Sequence, residues 1–480
     1  MDLFGTAGIR GSAETRVTPE LALAVGRAVA AEVRATEAAA TPEIVLARDG
    51  RVTGPAIAAA MEAGLASGGL RVLRAGRLPT PALAYASQDR YGVMLTASHN
   101  PPTDNGIKLF RDGSEFDREA ERAVEARVAD DEPPAAWDAW TESERVDTLD
   151  DYLDAVRTYA EGFGADLDGI RIAVDCGNGM SAPATPTVLR ELGADVVTLN
   201  GNVDGHFPGR GSKPTPETLH DLRAFIADAN EGVDEPGRPA DGDAEGFAFG
   251  IGHDGDSDRI VIVDADGDVV HEDTVLALLA ERYTRESDAA DPVVVTTPNA
   301  SGRIDERVRE AGGRVERVRL GALHEGIATV RAAADPGADT RVVFAAEPWK
   351  HIHVGFGEWI DGVASAAVIS RLTAESSLDD LRDPITERPY RKVSVDCPDE
   401  AKAGAMERLT TTLPDAFGDA AVDTDHGVRL EFPDASWTLV RPSGTEPYVR
   451  VYAESDAVDD LVANVETVVA DAVAAATDEK

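Results

Sequence analysis

Ile170-Arg171-Ile172-Ala173-Val174, the turn Asp175-Cys176-Gly177-Asn178-Gly179, a helical stretch to Leu192-Gly193 and then Asp195-Val196-Val197-Thr198-Leu199 read as strand, glycine turn, helix and strand. That order and length describe a βαβ crossover, since parallel strands need a connection long enough to carry the chain back along the sheet. The pattern occurs twice more. Ile44-Val-Leu-Ala47, Arg48-Asp49-Gly50, a helix from Ala56 to Leu65 and Leu70-Arg-Val-Leu73 come before it. Val293-Val-Val-Thr296, Asn299-Ala-Ser-Gly302, a helix to Gly312-Gly313 and Val315-Glu-Arg-Val318 come after it. Three copies predict three related α/β domains with mixed sheets flanked by helices.

Thr18-Pro19-Glu20 opens a helix, with Thr18 as N-cap and Pro19 at its first position. Ala129 to Ala136 is an acidic, proline-containing break, and Ala227 to Gly246 reads as a solvated loop. Past Asp383-Pro384 the rhythm changes to the alternating strands Lys392–Asp396, Val428–Phe432 and Trp437–Val440, closed by an amphipathic helix from Val458 to Ala474. The expected domains are therefore 1–148, 149–268 and 269–375, all α/β, with an α+β domain over 376–480, arranged around a central cleft.

The 480 residues carry 88 acids against 46 Lys and Arg, a formal charge of −42, spread along the whole length. Such a surface repels nucleic acid and anionic membrane. Only Lys108, Lys213, Lys350, Lys392, Lys402 and Lys480 are lysines. Dispersed acid with so little lysine suits concentrated salt, where self-repulsion is screened, so a halophilic archaeal host is expected. Cys176 and Cys397 stand alone and far apart, which gives no disulfide framework and fits a reduced compartment. Met1-Asp2-Leu3-Phe4-Gly5 lacks a signal-peptide pattern and no apolar run is long enough to span a bilayer, so a cytoplasmic protein is expected.

Four motifs bear chemistry. In Thr96-Ala97-Ser98-His99-Asn100-Pro101-Pro102 a hydroxyl stands at the end of the apolar strand Tyr91-Gly-Val-Met-Leu95, where open α/β sheets carry their ligands. A turn in which Ser98 and Asn100 bond their own backbone is the competing reading. Asp254-Gly255-Asp256-Ser257-Asp258-Arg259 offers three hard oxygen donors between two apolar strands, which suits Mg²⁺ better than zinc. An EF-hand is excluded by those strands and by the lack of a closing glutamate, while a solvated acidic loop stays open. Glu347-Pro348-Trp349-Lys350-His351 follows the strand Val342-Val-Phe-Ala. Arg441-Pro442-Ser443-Gly444-Thr445-Glu446-Pro447 joins an arginine fork, two hydroxyls and backbone N–H groups round a glycine, a set that can cradle a phosphate. At the start, Phe4-Gly-Thr-Ala-Gly-Ile-Arg10-Gly11 reads either as a glycine-rich turn or as a close backbone approach with Arg10 as an anion contact.

These motifs, in this order, resemble the α-D-phosphohexomutases, the superfamily of phosphomannomutase, phosphoglucomutase and phosphoglucosamine mutase. The resemblance implies an intramolecular phosphotransferase. Phospho-Ser98 would donate to a hexose monophosphate, and the bisphosphate, which also serves as activator in the form of hexose 1,6-bisphosphate, would turn over and return its other phosphate. It further implies that Ser98, Asp254, Asp256 and Asp258 share one Mg²⁺, with Arg259 held for substrate. Lys108 becomes the proton shuttle, with a pKa lowered by neighbouring cations, assisted by Arg10, while His99 orients the nucleophile. Glu347, His351 and Lys350 would read the sugar, and His324 lies in the other loop that faces substrate in relatives. Arg441, Ser443, Gly444, Thr445 and Arg450 would clamp the distal phosphate in either orientation of the sugar. Trp349 and Lys350 depart from the small residue and glycine usual there, which leaves the sugar open. Mannose or glucose phosphates lead, glucosamine and then pentose phosphates follow. The partner is a phosphosugar, with neither nucleic acid nor membrane, and the protein a monomer or homodimer. A sugar-phosphate-binding protein without turnover and a metal-dependent phosphatase are the readings from other classes.

Overall fold

Gly26 and Gly64 let the first two helices, Pro19–Thr36 and Gly54–Ser67, cross almost backbone to backbone: a Cβ on Gly64 would stand 2.4 Å from the Leu23 carbonyl oxygen. This pair packs with the first sheet in the computed structural model, which describes residues 3–5, 8–36, 42–238, 245–335, 337–443 and 447–478. The chain folds into two compact units, residues 1–275 with 348–381, and residues 276–347 with 382–480.

In the first unit the strands of one sheet run in the order Ile9–Ser12, Asp104–Arg111, Tyr91–Leu95, Glu43–Arg48, Arg71–Arg77, Ser143–Arg145. Glu43–Arg48 lies parallel to both its neighbours, as the crossover pattern requires. Asp104–Arg111 runs antiparallel to Tyr91–Leu95 and to Ile9–Ser12. The glycine-rich opening is thus partly a strand: Arg10 sits opposite Gly106, where a Cβ would meet the Thr96 carbonyl oxygen at 2.4 Å. Beyond the acidic break the chain returns to this sheet as its edge strand, Ser143–Arg145. A second sheet has the order Ile260–Val263, Phe249–His253, Arg171–Asp175, Asp195–Leu199. Of the stretch read as a solvated loop, Ala227 to Asn230 end the helix His220–Asn230, and residues 239–244 lie outside the described residues.

The second unit holds the third crossover, with Asp291–Thr296 parallel to Arg314–Arg317 and to Thr340–Glu347. It also holds a five-stranded antiparallel sheet ordered Tyr390–Asp396, Tyr448–Glu454, Trp437–Pro442, Val428–Glu431, Ala421–Asp423. Helices Asp399–Ala416 and Val458–Asp478 bury Leu409, Leu413, Val465 and Val469 in the core of this sheet. Its other face buries a charge pair, Arg303 to Glu454 at 2.8 Å, with Trp437 Nε1 donating to the same carboxylate at 2.8 Å. We propose the finer division at 148, 268 and 375 on the strength of the separate sheets. Among the described residues, no helix is long and apolar enough to cross a membrane.

Candidate active site

The strand Tyr91–Leu95 is buried along its length and delivers Ser98 at its carboxyl end, fully buried, with φ of +50°. A non-glycine residue there carries backbone strain, so something must hold it. Facing it is the loop between the antiparallel strands Phe249–His253 and Ile260–Val263. Gly255 permits the approach, since a Cβ on it would lie 2.7 Å from the Ser98 carbonyl oxygen. Ser98 Oγ donates to Asp254 Oδ2 at 2.7 Å and lies 3.2 Å from His99 Nδ1.

Asp254, Asp256 and Asp258 are all buried, and one oxygen of each falls within 4.8 Å of the others. Burial, then Asp258 and Asp256, raise the Asp254 carboxyl well above its usual range. Burial opposes ionisation of Asp258 too, but Lys108, Lys350 and Arg259 outweigh it and lower that carboxyl. Lys108 Nζ stands 3.0 Å from Asp258 Oδ2, 3.3 Å from Glu115 Oε1 and 3.9 Å from Asp256 Oδ2. Its pKa is accordingly raised, against the expectation: burial lowers it, yet the neighbours that dominate are anions. Arg259 Nε lies 3.8 Å from both Asp254 and Asp258. Arg10 Nε is buried without a hydrogen-bond partner, and its charge, after burial and Arg259, helps lower His99 to about 3.

The other expected residues fall in two places. Lys350 opens the short strand Lys350–Ile352 of the first unit, close enough to act by charge on Asp258 and His99. His351, expected to bond a sugar hydroxyl, is buried at 1% exposure, with Nδ1 3.0 Å from Ser365 Oγ. In the second unit, Glu347 accepts the Gly321 N–H at 3.2 Å, and His324 lies in the first turn of the helix Leu323–Ala333. Arg441 and Arg450 sit directly opposite each other on adjacent strands, each donating to a tyrosine hydroxyl at 3.0 Å, of Tyr452 and Tyr448 respectively. Ser443 is buried, its carbonyl accepting from Lys402 Nζ at 2.8 Å; Gly444 and Thr445 lie outside the described residues.

Comparison with known proteins decides the family. Residues 1–134 match the model for phosphoglucomutase/phosphomannomutase, alpha/beta/alpha domain I, residues 150–267 that for domain II, and residues 393–472 that for the C-terminal domain. A phosphopentomutase of Thermococcus kodakarensis is 39% identical over 462 residues, 95% of this chain and 94% of that protein. The chain belongs to the phosphoglucomutase/phosphomannomutase family. A probable phosphoglucosamine mutase of Methanopyrus kandleri is also 39% identical, covering 94% of each chain. A solved phosphoglucomutase/phosphomannomutase family protein of Burkholderia thailandensis shares the fold at a TM-score of 0.81 and 24% identity, over 99% of this chain and 98% of that one. This phosphohexomutase is thus an enzyme of intramolecular phosphoryl transfer.

Within the phosphohexomutase, the acidic loop suits a divalent cation by its own chemistry. Its donors are carboxylate oxygens, and Asp256 Oδ1 and Asp258 Oδ1 are buried without hydrogen-bond partners. Thr80 ties the loop down, its N–H to the Asp256 carbonyl at 2.9 Å and its hydroxyl to Oδ2 at 2.6 Å. Thr80 was not legible from sequence, and neither was Arg210, which clamps the other end of that loop by donating to the His253 carbonyl at 2.6 Å and to Asp175 at 2.8 Å. Both act through chain folded back from more than 40 residues away.

Proposed function

We propose that this protein interconverts a sugar 1-phosphate and the isomer phosphorylated at the far end of the sugar, through a phosphoserine at Ser98 and a bisphosphorylated sugar. The observation that carries the reading is the buried contact of Ser98 Oγ with Asp254 at 2.7 Å, inside a cluster of three carboxylates and Lys108. A sugar hydroxyl oxygen attacks the phosphorus of phospho-Ser98, the bond from phosphorus to Ser98 Oγ breaks, and the second phosphate later returns along the same route. Asp254, Asp256, Asp258 and the phosphoserine would hold Mg²⁺, which neutralises charge on the transferring oxygens. Lys108 Nζ, protonated at rest by its carboxylate neighbours, would relay the proton, giving one to Ser98 Oγ as its bond to phosphorus breaks and taking one from the attacking hydroxyl, with Arg10 beside it, and His99 orients Ser98. Arg259 meets the phosphate near the cluster, while Arg441, Ser443, Gly444, Thr445 and Arg450 take the distal one. Glu347 and Lys350 bond sugar hydroxyls, and His351 supports their loop from inside.

The relatives named phosphoglucosamine mutase and phosphopentomutase support glucosamine and pentose phosphates as the first sugars to test, ahead of mannose and glucose phosphates. The reading is tested by incubating the protein with Mg²⁺ and a sugar bisphosphate and mapping phosphate by peptide mass spectrometry. Label on Ser98, lost in Ser98→Ala, is expected. An unlabelled Ser98, or label elsewhere, would overturn the phosphoserine.

A further inference from the structure

Arg51 is fully buried, and all five of its guanidinium N–H groups are engaged. Nη2 donates to the carbonyls of Ser98 at 2.9 Å and Asn100 at 2.7 Å, and Nη1 to those of Pro101 at 2.5 Å and Asp104 at 2.9 Å. Nε donates to Asp49 Oδ2 at 3.0 Å, and the ring of Phe207 lies 5.2 Å from the guanidinium carbon. The same Asp49 oxygen accepts the Thr96 hydroxyl at 2.8 Å, and Thr96 Oγ1 in turn accepts the Ser98 N–H at 2.8 Å. The circuit is closed. Ser98 is held by its N–H through Thr96 and Asp49, and by its carbonyl through Arg51.

A helix or sheet would satisfy these carbonyls by itself; residues 98 to 103 form neither, and although the Asp104 N–H also reaches the Pro101 carbonyl at 3.0 Å and the Ser212 hydroxyl the Asn100 carbonyl at 3.0 Å, this one side chain gathers all four. Ser98 also keeps a φ of +50°, a conformation that persists only where its surroundings over-determine it. We propose that Arg51, with Thr96 and Asp49, is a positioning residue for phosphoryl transfer. It sets the backbone of Ser98 and thereby keeps Oγ in line with the carboxylate cluster. The inference rests on Ser98 as the phosphoryl carrier, and it assigns to Arg51 no contact with substrate. Lysine cannot replace it, because one ammonium has three donors at a point where the guanidinium spreads five across a plane.

The test compares wild type, Arg51→Lys and Thr96→Val, for turnover and for backbone amide exchange of residues 98 to 104. With Arg51→Lys, kcat should fall about 100-fold while KM stays within about threefold, because a misplaced nucleophile costs rate and leaves distal binding alone. Thr96→Val, close in shape, should lower kcat about tenfold. In both, amide exchange over 98 to 104 should quicken while the rest of the protein keeps its protection. A folded Arg51→Lys with kcat within about threefold of wild type, or with the loss confined to KM, would overturn the proposal. Should Arg51→Lys fail to fold, Thr96→Val decides alone, and wild-type kcat with unchanged exchange would count against it. Inactivity of the wild type toward every sugar phosphate would sink the mutase reading instead; the exchange data then still judge the positioning.

Discussion

Ser98 carries two separable burdens, a hydroxyl bonded to Asp254 and a backbone at φ +50°. Alanine and glycine both remove the hydroxyl, but only glycine relieves the backbone. Ser98→Gly should therefore be the more stable variant by about 1 kcal/mol in urea titration, with both inactive; equal stabilities would mean the strain is not there. Where a motif is contiguous, the residues singled out from sequence are ones the fold brings together, as with Ser98 and Asp254. Ser98 and the aspartates at 254, 256 and 258 could be read because a few neighbouring residues carry the whole signal. Arg51 and Thr80 could not, because each acts on a loop far along the chain, at Ser98 to Asp104 and at Asp256, and nothing local marks an arginine or threonine for burial. The sign of the Lys108 shift was missed because Asp258 reaches it from a loop 150 residues along the chain, and Glu115 only where the chain turns back on its own strand.

Among the elements, the crossing of the first two helices makes a test against propensity. Gly64→Ala raises helix propensity by about 1 kcal/mol. The new methyl would meet backbone at 2.4 Å, so a net loss of roughly 1–2 kcal/mol is expected in equilibrium unfolding, and a gain would refute the close crossing. The strand Lys350–Ile352 and the helix Gly362–Glu375 enclose a second device. His351 and His353 both meet Ser365 Oγ, at 3.0 and 2.8 Å, and burial keeps His351 down to about 3 and His353 well below its ordinary value. A base held neutral contributes stability that is present above its unfolded pKa of about 6.5 and is lost as pH falls toward the folded value. Nearby Asp361, raised to about 6 by burial, works the other way between its usual value and 6, and so opposes one of the two histidines there. The urea midpoint should thus fall as pH drops from 7 to 5, and His353→Asn should flatten that slope; a midpoint that rises on acidification would contradict the buried neutral pair. Periodicity located these elements to within a few residues, as in Val458–Asp478 against an expected end at Ala474. It missed the antiparallel pairing of Ile9–Ser12 with Asp104–Arg111, because glycines at 8, 11 and 106 hide a strand whose purpose is close approach.

At the scale of the whole molecule, the charge of −42 sets the conditions under which any of this is measured. Screening shortens from about 10 Å at 0.1 M salt to about 3 Å at 1 M, and repulsion among dispersed carboxylates fades accordingly. The melting temperature should rise steadily as KCl goes from 0.1 M into the molar range; a maximum at low salt would remove the case for a saline host. The crossover pattern revealed the α/β architecture because it repeats, whereas the proposed sugar-reading side chains, Glu347 and Lys350, are single residues with no repeat to mark them. Phosphorus NMR in molar salt with Mg²⁺ and a trace of sugar bisphosphate, offering glucosamine, ribose, mannose and glucose 1-phosphates in turn, distinguishes phosphoryl transfer through Ser98 from hydrolysis. Conversion of at least one to its terminally phosphorylated isomer without free phosphate, abolished in Ser98→Ala, is expected. Release of inorganic phosphate in place of an isomer, or conversion that survives Ser98→Ala, would contradict it.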